Sequence, residues 1–200
     1  MHLALLRMVN LPIWSIFVNG VNHTQLSLET LRKSFYIISQ DTPHLSFDTL
    51  RQWIDPHEAF SEERLVQVLC ECGVLDMVMN TPGGLMATKG DFRFSVGEEQ
   101  LLSVARVILD VERREGAQGG ERGGIVLLDE ATSSVDKDTE EKMEKMIKIR
   151  LGGKTLIAIN HRLEAVMEWI MIAPWCWTTG WWSISARRPS WSSGVICLLG

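Results

Sequence analysis

Gly123-Gly-Ile-Val-Leu-Leu-Asp-Glu-Ala-Thr-Ser-Ser-Val-Asp136 is the stretch around which the chain is organised. Four apolar residues, Ile125 to Leu128, run without polar alternation into Asp129 and Glu130, and a hydroxyl-rich turn then ends at Asp136. Such a run reads as a strand buried on both faces, the pattern of a central parallel strand. Acids at the C-terminal end of that strand sit where open α/β sheets place their ligands. Two adjacent acids there can divide the work of phosphoryl transfer. Asp129 would hold Mg²⁺, directly or through water, and Glu130 would orient and deprotonate an attacking water. An ordinary strand whose end carries two solvated acids has the same local sequence, so the flanks decide.

Upstream, Arg93 to Leu109 reads RFSVGEEQLLSVARVIL; downstream, Thr155 to Leu163 reads TLIAINHRL, a second apolar strand ending in a histidine. This order resembles one family, the nucleotide-binding domain of ATP-binding-cassette transporters. Phe94-Ser95-Val96-Gly97-Glu98 stands at the place of its LSGGQ signature, Leu127-Leu128-Asp129-Glu130 at Walker B, Ser133-Ser134-Val135-Asp136 at the D-loop and His161 at the switch histidine. Ile54-Asp55-Pro56 and the Phe-Ser-Val-Gly form of the signature resemble the multidrug-resistance-associated branch. The resemblance runs from about Leu3 to Trp169.

Bulk properties bound the rest. Two hundred residues suit one domain with a real core. A net charge of −5 gives no electrostatic reason to expect nucleic acid. Cys70, Cys72, Cys176 and Cys197 show no metal-ligand spacing, which fits a reduced, cytosolic setting. Cys70 and Cys72 fall two apart on a predicted helix and so on different faces. No apolar run reaches the about 20 residues of a membrane span, and Met1 to Leu11 lacks the features of a signal peptide.

Taken in order, Leu3 to Pro12 opens mid-helix with no N-cap. In the family, the phosphate loop GxxxxGK[ST] leads into a helix ending in a similar leucine-rich Arg-Met segment. No such loop occurs in the 200 residues, so the expectation is a domain truncated at its N-terminus, with the first strands missing. Gly152-Gly153-Lys154-Thr155 imitates its end, but Lys148 stands where the first glycine belongs and a strand follows rather than a helix. Gly152 reads instead as a helix C-cap.

Ser15 to Val18 with Asn19-Gly20 predicts a strand and tight turn, and Ser27 to Leu31 a short capped helix. Ser34 to Ser39 predicts a buried strand delivering Gln40. Residues 46–110 read as a helical subdomain in which Ser61 caps a helix ending at Gly73. Ser95 and Gly97 begin a further helix with Leu101, Leu102, Ala105, Ile108 and Leu109 on its apolar face. Free N–H groups, a hydroxyl and a close-approach glycine at such a start suit a phosphate, although a plain serine N-cap has the same sequence. Val111 to Gly124 predicts a surface excursion, and Thr139 to Leu151 an amphipathic helix whose Met143, Met146 and Ile147 belong to the core.

The resemblance implies an α/β fold: a partial P-loop NTPase-type domain with a mainly parallel sheet and a helical subdomain. It implies ATP and Mg²⁺ as ligands. Asp129 and Gln40 would serve the metal, Glu130, Gln40 and His161 the hydrolysis, and Ser95, Val96, Gly97, Glu98 and Asp136 an opposite nucleotide site. The implied partners are a second nucleotide-binding domain and transmembrane domains, with no nucleic acid. The domain would lie on the cytoplasmic face of a membrane, touching it only through those partners. Glu98, where the family has glutamine, adds negative charge beside the phosphate surface and should weaken ATP capture unless it points away.

Residues 170–200 depart from the pattern. Met171 to Gly200 holds five of the eight tryptophans and no Asp, Glu or Lys. With GC-rich codons a shifted frame would read this segment as Asp-Arg-Ala-Val-Val-Leu, which resembles what the family has next, so a frameshift near Trp169 to Met171 is the preferred account over a membrane-surface tail. Two functional alternatives stay open: a non-catalytic remnant or binding partner of a transporter, and a helicase-type ATPase suggested by Asp129-Glu130-Ala131-Thr132.

Overall fold

A computed structural model describes residues 2–9, 16–18, 20–39, 48–88, 90–91, 93–117, 124–129, 131, 135–160 and 195–199. Helix α1 (His2–Leu5) is followed by a hairpin of β1 (Phe17–Val18) and β2 (Val21–Asn22), and by α2 (Leu28–Lys33), capped by the Ser27 hydroxyl accepting from Thr30 N. The second sheet begins with β3 (Phe35–Ser39). Helices α3 (Leu50–Ile54), α4 (Glu62–Glu71) and α5 (Leu75–Asn80) follow. Next come the long α6 (Val96–Ala117), β4 (Ile125–Asp129), α7 (Lys137–Leu151), β5 (Thr155–Asn160) and β6 (Val195–Leu199).

The sheet order is β3-β4-β5-β6, every pair parallel. This is the α/β architecture with a mainly parallel sheet expected from the sequence. Strand β4 is central, and its side chains alternate between two apolar clusters. Val126 and Leu128 join Tyr36, Ile38, Leu156 and Ala158 beneath α6, α7 and the smaller helices. Leu127 points the other way, against Leu6, Leu31, Phe35 and Ile157. Val126 and Leu127 are fully buried, so each contributes roughly 1.5–3 kcal/mol over an exposed position. The N-terminal leucine-rich segment thus covers the second face of the sheet, held by Arg7 donating to the Leu26 carbonyl at 2.7 Å.

Several local expectations hold. Ser61 accepts from Arg64 N at the start of α4, and Met143, Met146 and Ile147 are core. Cys70 is exposed while Cys72 is buried, and burial pushes the Cys72 thiol up to about 12, so it is inert as a nucleophile. Gly152 ends α7; a Cβ there would lie 2.5 Å from the Lys148 carbonyl oxygen. Lys154, the lysine of the false phosphate loop, is buried and paired with Glu115. It serves the fold.

One expectation is corrected. The surface excursion does not begin at Val111, because α6 continues to Ala117 with Val111 buried. The charged residues that suggested a loop are consumed by ion pairs. Asp110 binds Arg113 and Arg114 one turn on. Arg114 also donates to the Lys33 carbonyl at 2.5 Å and lies over the Tyr36 ring. Glu112 accepts from Arg64 of α4 at 2.5 and 3.0 Å and from Arg150 of α7, while Arg150 reaches Glu71 at 3.3 Å. All four groups are about three-quarters buried. Removing one anion from such a network leaves two guanidinium groups poorly compensated. Glu112→Ala should therefore lower stability by about 2 kcal/mol, read as a lower urea midpoint.

Candidate functional site

Parallel pairing places three strand ends on one edge of the sheet. Ser39 stands opposite Asp129, and Asp129 opposite Ile159. In sequence, Gln40 follows Ser39, Glu130 follows Asp129, and Asn160-His161 follows Ile159. Gln40, Glu130 and His161 lie outside the described residues; Asp129 is placed, half-buried, at the end of β4. Among the described residues no group of three His, Cys, Asp or Glu could cage a metal. Mg²⁺ does not need one, since it is commonly held by one or two carboxylates, water and substrate phosphates. A single strand-end carboxylate of hard oxygens fits that ion.

The second group gathers where α6 and α7 begin. Ser95 N donates to Glu98 Oε2 at 2.7 Å and Ser95 Oγ donates to the same oxygen at 2.8 Å. In return, Glu98 N donates to Ser95 Oγ at 3.3 Å. This is a capping box, Ser-x-x-Glu, satisfying the otherwise orphaned donors of the first turn. Glu98 therefore does not point away from the turn. Its carboxylate folds back onto Ser95 and places a negative charge where the resemblance expects a phosphate.

Asp136 caps α7 in the same manner, accepting from Thr139 N at 3.0 Å and from Thr139 Oγ1 at 2.8 Å. The Thr139 hydroxyl, and then its N–H, hold the Asp136 carboxyl below its ordinary range. Thr139 also touches the other turn. A Cβ added at Gly97 would lie 3.2 Å from Thr139 Cγ2 and 3.4 Å from its Oγ1. Thus Ser95, Gly97, Glu98 and Asp136 share one corner with Thr139 as the common neighbour, while Val96 is exposed beside them.

A cavity of about 420 Å³ opens elsewhere, beside the outer strand β3. Trp53, Phe60, His57, Arg106 and Arg113 line it, and Ser39 is the one residue it shares with the strand-end row. Arg106 lies 5.5 Å from the Trp53 ring centroid, and burial pulls its pKa below the ordinary value against the opposing charge of Asp110. Asp129, Ser95 and Asp136 do not line this cavity. The strand-end chemistry and this cavity are distinct features.

Sequence reading missed three contributors. The Ser95–Glu98 capping box was legible in its spacing. Thr139 and Gln100 had no local signal, because their partners come from other elements: Gly97 for the first, and for the second the Ser39 carbonyl, to which Gln100 Nε2 donates at 3.0 Å.

No family model matches the chain. Among curated proteins it is 36% identical over 174 residues to the ABC-type transporter phomO of Diaporthe leptostromiformis, covering 84% of this chain and 11% of that protein. It is 34% identical over 166 residues to the ABC transporter ecdL of Aspergillus rugulosus, covering 83% and 10%. The ATP-binding cassette sub-family C member 3 of Rattus norvegicus is 31% identical over 171 residues, covering 84% and 10%. The chain spans about a tenth of the length of these relatives.

Two outcomes follow from the α6–α7 corner. A Cβ at Gly97 meets the Thr139 methyl, and this contact opposes the helix preference of alanine, so Gly97→Ala should be better tolerated by about 0.5–1 kcal/mol when combined with Thr139→Ser, which removes that methyl, in a double-mutant cycle. For Asp136 the folded pKa is depressed, so its stabilisation is complete above the ordinary value of 3.8 and is lost as pH falls below it. Asp136→Asn should remove that acid-side dependence from the urea midpoints.

Proposed function

We propose, for a chain that belongs to the ATP-binding-cassette transporter family in its multidrug-resistance-associated branch, a role as part of a nucleotide-binding domain that powers export across a membrane. The observation that carries this reading is the sheet row Ser39–Asp129–Ile159, from which Gln40, Glu130 and His161 follow in sequence.

In this reading Asp129, with Gln40, holds Mg²⁺, which when bound neutralises charge on the transferring phosphate. Glu130 accepts the proton of the attacking water as its oxygen bonds to the terminal phosphorus and the bond to ADP breaks. His161 donates a hydrogen bond to the terminal phosphate and helps hold the water in line. Ser95 and Gly97 belong to the opposite site, where the α6 N-terminus faces the terminal phosphate of a nucleotide held by a second nucleotide-binding domain. Asp136 borders the same surface. The aromatic and basic cavity beside β3, adjoining the strand that leads to Gln40, is the surface we assign to the transmembrane domains. The domain then works on the cytoplasmic face of the membrane; no helix among the described residues is long and apolar enough to cross one.

One observation favours a weaker, non-catalytic version of the role. Glu98 already takes both the N–H and the hydroxyl proton of Ser95, so a phosphate must displace a carboxylate to reach them. No GxxxxGK[ST] motif lies within the 200 residues. The 200-residue polypeptide alone should therefore show no meaningful ATP hydrolysis. Robust turnover that depends on Glu130 would overturn this.

The direct experiment mixes the chain with a nucleotide-binding domain that has its own phosphate loop and follows association by native mass spectrometry. A complex should form with Mg²⁺-ATP and not with ADP. Ser95→Ala should weaken it about tenfold, the worth of one hydrogen bond to a charged group, and Glu98→Gln should strengthen it. Equal association with and without ATP, unaffected by Ser95, would sink the composite-site reading.

A further inference from the structure

Gln100 sits in the second turn of α6 with 1% of its surface exposed, among the apolar side chains of the main core. A polar amide at such a position is costly unless its hydrogen bonds are made, so what it bonds to defines its purpose. Its Nε2 donates at 3.0 Å to the carbonyl of Ser39, sixty-one residues away in sequence. Ser39 is the last residue of β3, the outer strand of the sheet, and stands in register with Asp129. Five residues before Gln100, the helix begins with the Ser95–Glu98 box that packs, through Gly97, against Thr139 and so against the Asp136 cap.

We infer that Gln100 is a positioning residue: its amide ties the first turns of α6 to the strand-end row, so that the Ser95–Gly97 corner and the Asp129 edge open and move as one body. A strand end with a neighbour on one side only is free to fray. The Gln100 amide anchors it from a helix that is itself fixed along its length, at Glu112 to α4 and α7 and at Arg114 to the start of β3. The residue that leaves this anchored carbonyl in sequence is Gln40, so its starting point is set by the same helix that carries Ser95. A leucine or methionine would fill the same volume and leave the strand end untethered.

The functional weight of the tie rests on the reading of these two groups as parts of ATP sites. The tie itself is tested without nucleotide, so failure of either claim can be told from failure of the other. Amide hydrogen exchange of the full chain is compared for the native sequence, Gln100→Met and Gln100→Glu across pH 5 to 8. In the native chain, the Ile38–Ser39 and Leu128–Asp129 amides should exchange together with those at the start of α6. In Gln100→Met the Ile38–Ser39 amides should exchange about tenfold faster, with the α6 start and the urea midpoint little changed. In Gln100→Glu, protection of that strand end should be retained at low pH, where a protonated carboxyl can donate to the Ser39 carbonyl. It should be lost as pH rises and the carboxylate forms. A residue that merely fills space gives no such pH dependence. Unchanged Ile38–Ser39 exchange in Gln100→Met, or faster exchange spread evenly over the chain with a matching fall in the urea midpoint, would overturn the proposal.

Discussion

Burial of β4 on both faces and both edges is the constraint from which the rest of the structure follows. A strand whose neighbours on each side are parallel can only be reached through crossover segments, and those segments must cover the sheet. Here α6 and α7 supply that cover on one face, and the N-terminal segment with Leu31 of α2 supplies it on the other. Apolar alternation then has no place to stop being apolar until the strand ends. The first polar side chain after Leu128 is Asp129, so chemistry is confined to the C-terminal edge.

Helix α6 converts that edge into something larger. At 22 residues it spans about 33 Å, long enough for one rigid body to touch the strand-end row, the start of α7, the smaller helices and the opposite end of the sheet. Its two ends differ in kind. The first turn is satisfied by its own sequence, through Ser95 and Glu98. The last turns, beyond the Asp110 pairs with Arg113 and Arg114, are held by distant groups: Arg64, Arg150, Lys154 and the carbonyls of Lys33 and Phe35. The helix is locally specified where it begins and globally specified where it ends.

That asymmetry explains which readings succeeded. The capped starts at Ser27 and Ser61 depend on a side chain reaching a backbone N–H three residues away, so they are written in nearby residues. The same holds for the methionine stripe of α7 and the apolar face of α6, whose periodicity is local. Val111 to Ala117 misled because Val-Glu-Arg-Arg-Glu-Gly-Ala has the composition of a loop. Arg113 and Arg114 pair with Asp110 inside the helix, but Glu112, Glu115 and the carbonyl contact of Arg114 find partners 38 to 81 residues away, which no window of sequence contains. Glu98 was legible in part: its spacing from Ser95 was readable, but only the turn's rotamer decided that it folds back onto Ser95 rather than pointing away.

The sequence by itself determined the class of fold, the order of its motifs and the edge on which its acids lie, because strand burial, helix capping and turn chemistry act over a few residues. Tertiary structure alone decided what stands next to what. Gln100 meets the Ser39 carbonyl, Thr139 meets Gly97, and Glu112 joins three helices. Each of these is a contact between elements whose separation along the chain carries no signal, and each exists because a parallel sheet brings distant crossovers over the same strands.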